Sequence, residues 1–132
     1  MSEKLNFKGS FQDRNNAMHS VLLSLYSFKE NGVQIIYSPA LDISGYGNNA
    51  KQAKSSFEIT LAEFVKYTTN KGTLFTELKK LGWQVPRKNA AYKKFSAPRL
   101  EKQLTTNDYL ADIFNSKEFT KTNKKVELPV AA

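Results

Sequence analysis

VQIIYSPALDISGYGNNAKQAKSSFEITLAEFVKYTTNKGTLFTELKKL, residues 33–81, decides the fold. Val33, Ile35 and Tyr37 alternate with Gln34 and Ser38, which is the period of a half-buried strand. Pro39 has no N–H to give to a ladder and stops that strand. Leu41 and Ile43 begin a second short alternation, predicting a strand over 41–44, and Gly45-Tyr46-Gly47 reads as a tight turn after it. Asn48 and Asn49 are good helix caps. Behind them Ala50, Ala53, Phe57, Leu61, Phe64 and Val65 fall on one helical stripe, predicting a helix over 49–67 that ends before Thr68.

The run Tyr37-Ser38-Pro39-Ala40-Leu41-Asp42-Ile43-Ser44-Gly45-Tyr46-Gly47, followed by a helix with Ala53, Phe57 and Leu61 on one face, resembles the core of HicB-family proteins. Gln52-Ala53 stands where that family usually carries Glu-Ala, and the likeness spans roughly residues 20–69, under half of the chain. The resemblance implies a small sheet covered by a helix, a partial RNase H-like fold, and service as the antitoxin of a toxin–antitoxin pair.

Working outward, residues 18–28 read as a strand with two apolar faces. Val21, Leu23 and Leu25 point one way, and Leu22, Ser24, Tyr26 and Phe28 the other, as in a strand covered on both sides. Glu30-Asn31-Gly32 supplies hairpin chemistry, so this strand pairs antiparallel with 33–37. Residues 1–17 have no clean period and form an N-terminal arm in this reading. Downstream, Thr73 caps a short helix lined by Leu74, Leu78 and Leu81, with Gly82 at its stop position. Trp83-Gln84-Val85 is extended, and Pro86 closes it. Thr106 and Asn107 cap a further helix with Tyr109, Leu110, Ile113 and Phe114 as its apolar positions, and Val126, Leu128 and Val130 mark a strand returning to a sheet edge. The expected architecture is α+β: an antiparallel sheet of three to four strands covered by a helix, with additional short helices. It divides into an arm (1–17), an α+β core (18–85) and a basic C-terminal extension (86–132).

The 132 residues suffice for one core. The chain has no cysteine, so it has neither disulfide, thiolate metal site nor Cys nucleophile. With no apolar leader and no long apolar run, the expectation is a cytoplasmic protein without a membrane partner. The net charge is +8, and its excess lies wholly beyond residue 50, where residues 51–82 carry 6 basic against 3 acidic groups and residues 83–132 carry 10 against 5. A basic half beside a neutral one points to a polyanion or an acidic partner.

Catalysis finds little support in the residues. An RNase H-like site needs carboxylates converging on divalent metal. Asp42 is in a plausible place, but no second strand carboxylate faces it, and Glu58 and Glu63 read as solvated helix residues. His19 has no cysteine, second histidine or nucleophile elbow to work with. The expectation is therefore a protein with no catalytic residues, no metal site and no cofactor. Its partner would be a small toxin ribonuclease, occluded by contacts from Tyr37, Asp42, Tyr46 and Asn48 at the strand-end turn. A second reading makes the chain a nucleic-acid binder. Arg87, Lys88, Lys93, Lys94, Lys121, Lys124 and Lys125 would neutralise the phosphates of RNA or DNA, and Tyr92 and Phe95 would stack on bases. A third is an accessory scaffold that acts by forming a homodimer.

Overall fold

The computed structural model describes residues 18–87 and 94–130. Four strands and four helices follow in the order β1 (Met18–Glu30), β2 (Val33–Ser38), β3 (Ile43–Gly47), α1 (Ala50–Lys71), α2 (Leu74–Lys80), α3 (Leu100–Thr106), α4 (Asp108–Ser116) and β4 (Phe119–Pro129). The strands form one antiparallel sheet in the order β3-β2-β1-β4. This is the α+β arrangement that the sequence predicts: four strands packed against a long helix, with short extra helices. The arm at residues 1–17 and the linker positions Lys88, Tyr92 and Lys93 lie outside the described residues.

The β1–β2 hairpin turns on Asn31 and Gly32, both at positive φ (54° and 80°), which matches a two-residue turn to the twist of the strands it joins. Alternation along β1 then serves two cores. Leu23 and Leu25 meet Phe57 and Leu61 of α1, Leu74 and Leu78 of α2, and Val126 and Leu128 of β4. On the opposite face Tyr26 and Phe28 join Ile35 and Tyr37 of β2 in a cluster closed by Leu110 and Ile113 of α4. Trp83 is buried in the first cluster, and its indole N–H donates to the carbonyl of Ala40 at 2.7 Å, tying the chain after α2 to the turn before β3.

Several boundaries differ from expectation, each for a physical reason. The third strand begins at Ile43 rather than Leu41, because Leu41 is buried in the turn and Asp42 takes a left-handed conformation (φ 55°). Gly45-Tyr46-Gly47 is strand, not turn. A Cβ on Gly45 would stand 2.3 Å from the backbone nitrogen of Phe57, and one on Gly47 would stand 2.5 Å from that of Ala53. The glycines let α1 lie directly on β3, a need that arises between elements and not within a turn. Helix α1 also continues through Thr68 to Lys71. Thr68 is buried, its hydroxyl bonds back to the Phe64 carbonyl at 2.7 Å, and the helix stops at Gly72 in the left-handed region (φ 70°).

At its other end Asn49 Oδ1 accepts from the Gln52 N–H, while Gln52 Oε1 accepts from the Asn48 N–H, both at 2.9 Å. This reciprocal pair works as a capping box does. Helix α3 has no counterpart in the sequence reading: it is one short turn pair whose apolar positions are Leu100 and Leu104 alone, with Leu104 partly buried against the α4-side cluster. The predicted extended piece at Trp83-Gln84-Val85 makes a single antiparallel bridge, Gln84 to Ser96. Strand β4 lies along β1 over its own full length, from Phe28↔Phe119 to Met18↔Pro129, so the C-terminal part of the chain completes the sheet.

Candidate functional site

Three of the four residues expected at a partner contact are exposed along the edge strand β3 and at its two ends, and the fourth is buried. Tyr37 is 2% exposed. Its hydroxyl donates to Asp42 Oδ1 at 2.7 Å and accepts from Asn107 Nδ2 at 2.8 Å. Asn107 in turn caps α4, accepting from the Leu110 N–H at 2.9 Å. Tyr37 therefore supports the surface from beneath. Burial raises its phenol pKa well above the ordinary value, Asn107's donation acts the other way, and the neighbouring Asp42 carboxylate adds to the rise.

Over this support lie Asp42, exposed at the turn; Tyr46 of β3, 55% exposed; and Asn48, exposed at the start of α1. Helix α4 adds residues that the sequence reading did not assign to the site. Tyr109 is 40% exposed, with its ring edge-on to Tyr37 at 4.9 Å between centroids. Asp108 and Asp112 are exposed on the same short helix. The Tyr109 hydroxyl is raised in pKa first by burial, then by the negative charge of Glu30, by Tyr46 and by Asp112.

Glu30 is held by Lys117 at 3.2 Å, whereas Asp42, Asp108 and Asp112 have no cationic partner among the described residues. In a chain of net charge +8, the fold thus gathers an acidic surface carrying two exposed tyrosines. The signal was present in the helix. Asp108, Tyr109 and Asp112, at i, i+1 and i+4, cannot all turn inward when Leu110 and Ile113 do.

The nucleic-acid set is not gathered in this way. Phe95 is 4% exposed, edge-on to Trp83 and Phe75 in the core, so it cannot stack on a base. That corrects its expected role: the aromatic anchors the linker to the body. Arg87 and Lys94 are exposed beside the linker. Lys121 and Lys125 are exposed on β4, and Lys124 is paired with Glu58 of α1 at 3.1 Å. Trp83, Gln84, Val85, Pro86, Lys79 and Arg87 line an open depression of about 660 Å³.

His19 packs against the Phe95 ring, 6.0 Å between centroids. Among the described residues no three histidine, aspartate or glutamate side chains come together as metal ligands. No helix among them is long and apolar enough to cross a membrane. No protein family model, curated protein or solved structure matches the chain.

Proposed function

We propose that the chain is a non-enzymatic binding module of the HicB-like antitoxin type, which covers the working face of a small basic ribonuclease toxin. The observation that carries this reading is the acidic, tyrosine-bearing surface formed by Asp42, Tyr46, Asp108, Tyr109 and Asp112. A protein that binds RNA presents a basic face. An acidic surface steers such a partner into place and repels competing nucleic acid.

The two tyrosines supply broad contact area at low entropic cost, since each has few torsions to freeze. The mechanism is steric: once the module is seated, messenger RNA has no access to the toxin. Tyr37 and Asn107 act as positioning residues that hold the turn and α4 in register.

The test is co-expression with the short reading frame adjoining the gene for this chain. On this reading its product arrests growth alone, is relieved by the chain, and co-purifies with it. Asp108→Lys/Asp112→Lys abolishes relief while the fold persists. Salt-sensitive binding of RNA, lost in Lys121→Ala/Lys125→Ala and indifferent to the aspartates, would put the nucleic-acid reading in its place.

A further inference from the structure

The two edges of the sheet are treated differently. The edge at β3 is closed: α1 lies against it, and the outward N–H of Tyr46 donates to Ser56 Oγ at 3.1 Å. Among the described residues the edge at β4 is open. Its 11 residues pair with β1 on one side, and no strand among the described residues lies on the other. An open edge of that length is a template for another strand.

We infer that β4 pairs with β4 of a second copy, two-fold about Lys124, to make one continuous eight-stranded antiparallel sheet. Register decides the occupant. Lys124 is the midpoint of Phe119–Pro129, so a two-fold axis there uses the whole strand. Residues directly opposite share a face in an antiparallel pair. Lys121, Lys125 and Glu127 are partnered by Tyr26, Leu22 and Ser20 of β1, all on the face carrying α4, while Lys124, beside Leu23, is on the α1 face.

About Lys124, Lys121 stands opposite Glu127 of the second copy, and the pair occurs twice. Lys125 meets Asn123, and Thr122 meets Val126. The two Lys124 ammonium groups meet at the axis, each already held by its own Glu58. Moving the axis one residue to Asn123, a two-residue shift of register, sets Lys121 against Lys125. Moving it to Lys125 sets that lysine against its own copy and removes both Lys121–Glu127 pairs. Of the registers that use most of the strand, the one about Lys124 pairs it over its full length and sets both Lys121 side chains against Glu127, with its one like-charge meeting, at the axis, offset by Glu58.

The test is sedimentation of the full chain across a range of concentrations. The expected result is a monomer–dimer equilibrium. Lys121→Glu and Glu127→Lys each raise the dissociation constant about tenfold or more, and the double swap restores it. Both residues are exposed, and circular dichroism verifies the fold of each variant. Because the chain has no cysteine, Lys124→Cys gives a second readout: on oxidation it forms a disulfide-linked dimer, while Thr120→Cys, facing Leu128, does not. A monomer at every concentration overturns the inference, as does a dimer indifferent to both reversals or one not restored by the swap.

Discussion

Asn107 Nδ2 donates to the Tyr37 hydroxyl at 2.8 Å across 70 residues of sequence, and the same hydroxyl donates to Asp42 at 2.7 Å. One buried oxygen thereby joins strand β2, the turn before β3 and the cap of α4. The turn and the helix that carry the three aspartates of the acidic surface are set by it.

Tyr37→Phe removes that oxygen and leaves Asn107 unsatisfied beneath α4. The expected cost is about 1–2 kcal/mol in urea unfolding, with faster amide exchange in α4 than in β1. Stability in the wild type is also lost at high pH. The folded phenol titrates above its unfolded value of 10.0, so its contribution is complete below that pH and is lost as the pH climbs beyond it. Stability falls more steeply on the alkaline side in the wild type than in Tyr37→Phe. Equal slopes would remove Tyr37 from the account.

Gly45→Ala tests the contact between α1 and β3. The new methyl would need the space occupied by the Phe57 backbone, which no side-chain rotation can free. The expected loss is about 3 kcal/mol or more, visible as a lowered midpoint of thermal unfolding. Gly32→Ala provides the contrast. It meets nothing within 4 Å and pays only for its positive φ.

The single tryptophan reports on the core. Trp83 is buried, so its fluorescence is blue-shifted in the native protein and moves to the red on unfolding. Trp83→Phe keeps most of the apolar volume but strands the Ala40 carbonyl, at a cost of about 1–3 kcal/mol in the same urea titration.

What could be read from the sequence follows the range of the forces involved. The β1–β2 hairpin, the start of α1 at Asn49, the short helix after Thr73 and the helix after Asn107 are announced by residues within a turn or two of themselves. The strand nature of Gly45-Tyr46-Gly47 is not, because the reason for those glycines is a helix packed across them. The inward turn of Tyr37 follows its alternation with Ile35, but what covers it arrives 70 residues later. Helix α3 fully buries no residue and offers only the pair Leu100 and Leu104, too short a pattern to read. The acidic surface was hidden for the same reason: Asp42, Tyr46 and Asp112 come from a turn, a strand and a helix, and chain-averaged charge has the opposite sign. Phe95, in a basic linker, looked like a stacking platform and proved to be core.

The most direct test of the binding account is calorimetric titration of the chain with the purified product of the adjoining reading frame, at low and at high salt. The account predicts one tight site that weakens as salt rises. Asp108→Lys/Asp112→Lys weakens it about a hundredfold or more, as the loss of a charge-complementary contact of 2–3 kcal/mol would. Binding of undiminished strength in that variant, or no binding by the wild type, would contradict it.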